Sequence, residues 1–425
     1  MRRRLLAGAL VVLAVIACGA SSAAADLAQP SVVSENPVDY TPHVLDGTVW
    51  ALAVVGDTVV VGGAFTAVAD SSRRYTYARR NLFAFDLRSG AIRAFAPVVD
   101  GPVYALAAGD DGTVYAGGAF GRVNGSAQRG VARVGLDGGR LSSFRASIDR
   151  GFVQTLARRG RQLYVGGTFG SVNGVRRVGL ARVDAVGGRV DPDFDAGLTS
   201  ANPHRTHVEN LDVSPDGRSL VVIGGFLGVR SLQRNQIALL DISGPAAAVT
   251  GWYTDAFQKP CQKGYDAYLR QVKFAPDGSW FVVVTTGGTS QNLCDSAVRF
   301  QAAGTGQHDP FWVQHTGGNS LFAVAVTGAA VYLGGHQEYL DNPDGHKTKN
   351  VGEPPDFRPG PGAVSRPGIG AVDSATGRAL TWNPTRSRGT GVRVLLPVPQ
   401  GLLVGSDTDE LGHEYHGRIG MFPLG

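Results

Sequence analysis

"YTPHVLDGTVWALAV" (Tyr40–Val54) and "FAPVVDGPVYALAA" (Phe95–Ala108) are two copies of one pattern, and the first copy stands where no complete unit precedes it. Its apolar half recurs as "VWALAV" from Val49, "VYALAA" from Val103, "VQTLAR" from Val153 and "VENLDV" from Val208. Three more copies are "LRQVKF" from Leu269, "LFAVAV" from Leu321 and "VRVLLP" from Val392. After each comes a turn, then a β-branched run that often closes on paired glycines, as in "TVVVGGAF", "TVYAGGAF" and "QLYVGGTF". A third segment follows ("NLFAFD", "GVARVG", "GLARVD", "QIALLD"), and a fourth opens on Phe95, Phe144, Phe194, Trp252, Trp312 or Trp382. The chain stops just after the last third segment, "RIGMF", and Tyr40 supplies the missing aromatic. Repeats of this kind predict an all-β fold, a seven-bladed β-propeller of four-stranded antiparallel blades. Blades start near 49, 103, 153, 208, 269, 321 and 392, and a strand over 38–46 completes the last of them. Pairing the N-terminal strand in the C-terminal blade covers apolar faces that an open ring would leave bare.

The first residues have another purpose. Met1 to Arg4 are basic, Leu5 to Ala17 are apolar, and small residues run to Ala25. That run is short for a bilayer span and reads as a secretory leader, residues 1–25, cut between Ala25 and Asp26. A second reading stands beside it: "VIAC" resembles a lipobox, in which Cys18 is lipidated and anchors the protein outside the membrane. Residues 26–425 then form a single domain with no transmembrane segment. Cys261 and Cys294 remain as an even pair suited to an oxidising compartment. Loss of Arg2, Arg3 and Arg4 lowers the formal charge from +5 to about +2, which gives no reason to expect nucleic acid. Sixty glycines and no helical period fit short strands and tight turns. A phosphate loop at the glycine doublets would need a following helix, and the sequence predicts none.

"VYAGGAFGRVNGSAQRGVARVGLDGGRLSSF" and "LYVGGTFGSVNGVRRVGLARVDAVGGRVDPDF" resemble delta-sixty-type β-propeller repeats of exported bacterial proteins. The glycine doublets are also similar to those of kelch repeats, but kelch Tyr and Trp spacing and a Trp-Asp ending are both missing. The resemblance implies a propeller scaffold and export. It implies no reaction.

In such a blade the second-to-third and fourth-to-first connections emerge on one face, and the insertions fall there: 69–80, 196–207, 254–267, 291–295, 336–367 and 406–416. Cys261 and Cys294 rise from that face in one blade, so a disulfide between them is expected. The insertion "HQEYLDNPDGHKTKNVGEPPDFRPGPGAVSRPG" carries prolines and glycines expected to preclude regular structure. Its His336, Glu338, Asp341, Asp344 and His346, with Asp407, Asp409, His413, Glu414 and His416 of the next blade, are the candidates for a divalent metal. His204 and His207 belong to the same face further round. No cofactor is predicted. The expected function is that of a monomeric, secreted, non-catalytic scaffold whose loop-bearing face takes an extracellular protein, envelope polymer or glycan. The alternative is a propeller hydrolase, lyase or quinone-dependent dehydrogenase with its site on that face.

Overall fold

The computed structural model describes residues 28–261, 267–288, 292–348, 356–387 and 389–425. Cys18 and the Ala25–Asp26 bond lie outside the described residues. What is described is all-β: the one helical turn among these residues is the short 3-10 segment Pro203–Arg205, so the glycine doublets lead into no helix. No helix among them is long and apolar enough to cross a membrane.

Sheets follow one another along the chain as antiparallel meanders. The first is Thr48–Val55, Thr58–Ala64 and Leu82–Asp86, and the second is Val103–Ala108, Thr113–Gly118 and Val131–Gly135. The third is Val153–Arg159, Gln162–Gly167 and Leu180–Asp184. Sheets led by His207–Val213 and Leu269–Phe274 have four strands; those led by Leu321–Val326 and Val394–Val398 have three. Each leading strand packs against that of the next sheet, and Val394–Val398 packs against Thr48–Val55. This is a β-propeller.

The glycine doublets make that packing possible. A Cβ on Gly62 would lie 2.7 Å from Val103 Cγ1 of the following sheet, and one on Gly405 would lie 2.5 Å from Val49 Cγ1. The second glycine of the pair admits its own leading strand: a Cβ on Gly63 would lie 2.2 Å from the Thr48 carbonyl oxygen. Both contacts are inside van der Waals distance, so side chains are excluded for want of space rather than for backbone freedom.

The outer edge is thinner than the sequence implies. In several sheets the fourth segment makes one bridge, such as Phe85↔Ile92, Val183↔Val190 or Val372↔Ala379, and then leaves. In these sheets the aromatic plugs the sheet from beyond the bridge, whereas Trp312 is itself paired with Arg299; Phe95, Phe144, Phe194 and Trp252 are at most 1 % exposed. One amide recurs along this edge. Arg93 N–H donates to Ala84 O (2.8 Å), Asp191 to Arg182 (2.9 Å) and Leu380 to Ala371 (2.8 Å); near the chain start, Val38 donates to Met421 O (2.9 Å).

The insertions are more regular than expected. His346–Thr348 pairs with Asp356–Arg358, and Tyr339–Leu340 with Val364–Ser365, so the prolines of the long insertion do not prevent strands. Among the described residues Pro343, Pro359, Pro361 and Pro367 stand outside the paired positions, where no ladder amide is needed. Equivalent hairpins occupy the second-to-third connections of other sheets, Arg122–Val123 with Ser126–Ala127 and Ser171–Val172 with Val175–Arg176. Incoming segments pair onto them, as Val99↔Val123, Ile148↔Val172 and His43↔Ala69. One face thus carries a tier of small hairpins.

Behind that tier a single position, three residues before the third strand, locks the blade. Arg177 donates to the Asp191 and Pro192 carbonyls (both 3.0 Å), Arg234 to Thr250 O (3.0 Å) and Arg366 to Leu380 O (2.6 Å). Gln128 does the same towards Ala146 O (2.6 Å). These buried arginines bind the sheet's own backbone, which accounts structurally for part of the chain's arginine content.

Candidate functional site

The leading strands carry one residue more than their partners can pair. The register slips between Val49 and Ala51, Val103 and Ala105, Val153 and Thr155, Val208 and Asn210, Leu269 and Gln271, and Leu321 and Ala323. A β-bulge leaves the extra residue out of the ladder and re-aims its side chain. The residues concerned are Trp50, Tyr104, Gln154, Glu209, Arg270 and Phe322. In the last sheet Arg393 holds the same place, just before the Val394↔Gly405 pair. All are half-buried, on innermost strands, at the end nearest the hairpin tier. They rim the propeller's centre on that face.

Contacts around the rim divide it by character. Trp50 meets Tyr104 edge-on with centroids 5.7 Å apart, and Tyr104 meets Phe152 likewise at 5.5 Å. Further round, Arg270 Nη1 lies 3.5 Å from Glu209 Oε1. The guanidinium of Arg393 bridges the two halves, 4.1 Å from the Phe322 centroid and 4.8 Å from that of Trp50. Aromatic faces attract a cation without satisfying its N–H donors. Arg393 Nε is buried without an acceptor, and among the described residues none of its guanidinium donors has one. Burial works against the charge of Arg393 and lowers its pKa, while Asp407 favours it. Asp407 itself is held by the amides of Thr390 (2.8 Å) and Gly391 (3.0 Å) and by the Thr390 hydroxyl. Burial raises its pKa, but these donors outweigh it and keep the carboxyl below the ordinary aspartate range.

The residues singled out in the sequence are dispersed. His336 reaches the rim, its ring edge-on to Phe322 at 5.8 Å, and His207 lies 3.9 Å from Glu209. Glu338 is half-buried further out, and His204, Asp344 and His346 are exposed. Asp341 accepts from Gln314 Nε2 (2.6 Å) and the Ala379 amide (3.2 Å), a bracket between blades. Asp409 pairs with Arg418 (2.8 Å). The segment of His413 and His416 is a hairpin, Glu410–Leu411 with Glu414–Tyr415, not an irregular loop. His413 is exposed near the Thr385 hydroxyl (3.1 Å), whereas His416 is buried between Thr41 (3.3 Å) and Glu414 (3.2 Å). Among the described residues no three His, Cys, Asp or Glu side chains gather as a metal site. The rim residues themselves were missed by sequence reasoning. Their signal is the second letter of each opening segment, the one that runs W, Y, Q, E, R, F, R while its neighbours stay mostly apolar.

The buried histidines give the protein an acid limit. His43 accepts from the Gly417 amide at Nδ1 (3.0 Å) and donates from Nε2 to Ser71 O (3.2 Å), so its ring is neutral. Burial lowers its pKa, with His416 and Arg73 adding to the effect and the Ser71 bond and Asp70 opposing it. Burial lowers His308 and His315 too. The unfolded chain takes up these protons near pH 6.5 while the folded chain does not. Stability is therefore fully present above about pH 6.5 and falls as pH drops below it towards the lowered folded-state values, by less than about 1.4 kcal/mol per pH unit for His43 and His315 and by much less for the more exposed His308. Urea midpoints at pH 7.5 and 5.5 measure this, since carboxylates stay ionised over that window; equal midpoints would refute it.

Residues 161–194 match a family described as a domain of unknown function (DUF5122) β-propeller, a span holding the second and third strands of the third sheet. No curated protein matches the chain. Among solved structures, the WD40 β-propeller domain of Doa1 is 10 % identical with a TM-score of 0.52, over 92 % of this chain and 97 % of that one. The β-propeller domain of Cps50 (Swd1) from Myceliophteria thermophila is 11 % identical with a TM-score of 0.51, over 93 % of this chain and all of that one. At such identity the likeness is one of fold, and the fold it bears on is the β-propeller.

Proposed function

We propose that the protein is an exported seven-bladed propeller, its ring closed by the N-terminal strand, that acts as a non-catalytic scaffold binding a cell-envelope glycan on its hairpin-bearing face. The single observation that carries this reading is the rim. Bulges in successive leading strands bring rings, guanidinia and a carboxylate from separate blades to one opening, where a mixed apolar and polar surface is suited to holding a ligand. Closure is supported by the contact of Gly405 with Val49 and by the Val38–Met421 hydrogen bond, which repeat between the chain ends the contacts made between interior blades. The delta-sixty resemblance, the leader and the Cys261–Cys294 bridge support export. The enzyme alternative gains nothing from the rim's carboxylates: Glu209 faces Arg270 and Asp407 is filled by Thr390 and Gly391, so neither is poised as an acid or base.

Two measurements test this. Intact mass of the exported protein should place Asp26, or lipidated Cys18, at its N-terminus; an uncut chain retained in the cytoplasm refutes export. Isolated cell-envelope polysaccharide should retain the wild-type protein, and Trp50→Ala should weaken retention about tenfold. Asp57→Ala, in an exposed turn on the opposite face, should leave it unchanged. Loss in Asp57→Ala with retention in Trp50→Ala would move the site to the other face.

A further inference from the structure

The rim has a chemical polarity that narrows what it takes. Trp50, Tyr104 and Phe152 form a half-exposed aromatic arc over three consecutive blades. A pyranose ring has apolar C–H faces that such an arc covers, and hydroxyls at its edge that need partners. The arc ends on Arg393, whose planar guanidinium is clasped by Trp50 and Phe322 and has no acceptor among the described residues. A half-buried guanidinium with open donors matches a carboxylate, which it binds through two parallel N–H bonds. Across the opening stand Glu209 and Arg270, near enough for their charges to act on Arg393. Glu209 decides between anions. A carboxylate here accepts hydrogen bonds from hydroxyls, but it repels a phosphate dianion or a densely charged polymer. A monoanionic, hydroxyl-rich ligand satisfies both ends of the rim.

Resting on the reading of this rim as the binding site, we propose that the propeller recognises carboxylated sugar residues, with the pyranose on Trp50 and Tyr104 and its carboxylate on Arg393. The neighbouring polar groups then serve the hydroxyls: Gln154 and Glu209 on one side, His336 on the other.

The test uses one polysaccharide in two forms, isolated envelope polysaccharide before and after carbodiimide-borohydride reduction of its carboxylates to primary alcohols. Wild-type protein should lose at least tenfold in affinity on reduction, and Arg393→Gln should bind the untreated form no better than the wild type binds the reduced one. Arg393→Lys keeps the charge but not the fork and should fall between. Urea midpoints of each variant establish that it is folded. If Arg393→Gln does not fold, the two polysaccharide forms on wild-type protein decide the matter alone. Equal binding of both forms overturns the acidic-sugar inference and leaves the glycan scaffold standing; binding of neither overturns the scaffold reading as well. Tryptophan quenching by D-glucuronate and not by glucose, present in the wild type and absent in Trp50→Phe, is the second readout. Quenching by a peptide with a free C-terminal carboxylate and not by glucuronate would assign the rim to peptides and refute the inference.

Discussion

A chain lacking residues 1–38 is expected to lose cooperative folding. Gln29 Nε2 donates to the carbonyls of Val398 (3.0 Å) and Gly401 (2.7 Å) on the last sheet. Val33 N–H donates to the Tyr332 hydroxyl (3.0 Å), Ser34 N–H to Pro423 O (2.8 Å) and Val38 N–H to Met421 O (2.9 Å). Ser34 O in turn receives Trp382 Nε1 at 3.1 Å. Val33, 3 % exposed, sits in a cluster with Tyr332, Trp382, Leu402 and Phe422. Each bond is worth about 1 kcal/mol net, and more where its loss leaves a buried group unpaired. Burying the valine adds about 1.5–3 kcal/mol. The total is on the order of the 5–15 kcal/mol by which a whole domain is stable. A milder form of the experiment is Val38→Pro, which removes the one amide that repeats the interior edge bond. It should cost about 1–3 kcal/mol in urea, close to the cost of Arg93→Pro at the equivalent place in the first blade. A truncated chain that unfolds cooperatively at the wild-type midpoint would show that the proposed closure is ornamental.

Those edge bonds also show what the sequence made legible. Strands and glycine doublets recur because each blade solves the same steric problem against the next: Gly62 must admit Val103, and Gly117 must admit Val153. A requirement met by one residue type leaves a readable letter. The hairpin tier was legible too and was overlooked. Asn124-Gly125 and Asn173-Gly174 both take positive φ (50° and 75°; 49° and 77°), the paired left-handed geometry of a two-residue turn that Asn-Gly favours.

Other features had no stable letter. The clamp before the third strand is Arg177 in one blade, Gln128 in another and His416 in the last, because any side chain that fills the gap and donates, or packs, will serve. The rim was hidden for a different reason. It is created by a bulge, and a bulge depends on how two strands register rather than on which residues they contain. Of the candidate histidines only His336 and His207 come to the rim, while His413 and His416 answer to the segments entering their hairpin, at Thr385 and Thr41.

The same clamp position fixes the second large effect, loss of the Cys261–Cys294 disulfide. Cys294 stands three residues before Ala297, where the third strand begins to pair with the second, the place at which other blades put an arginine. It is fully buried, and the bridge ties it to Cys261 in the connection entering that blade, with a Cα–Cα distance of 5.7 Å. A Cβ on Gly287 would lie 2.7 Å from Cys261 Sγ, so the bridge packs directly against that backbone. The sequence separation is 33, and closing a loop of that length restricts the unfolded chain by about 3–4 kcal/mol. Reduction, or the double substitution Cys261→Ala with Cys294→Ala, should lower the free energy of unfolding by that amount. It should also expose the connection over 254–268 to proteolysis before the other sheets open, since Tyr268 is held there by Gln236 Oε1 (2.9 Å) and Lys259 O (2.9 Å), the latter on the loosened side. Urea midpoints with and without reductant, together with the site of first cleavage, measure both effects. Identical midpoints, or first cleavage in another blade, would mean that the blade is held by its sheet alone and that the sulfur atoms merely occupy the arginine's place.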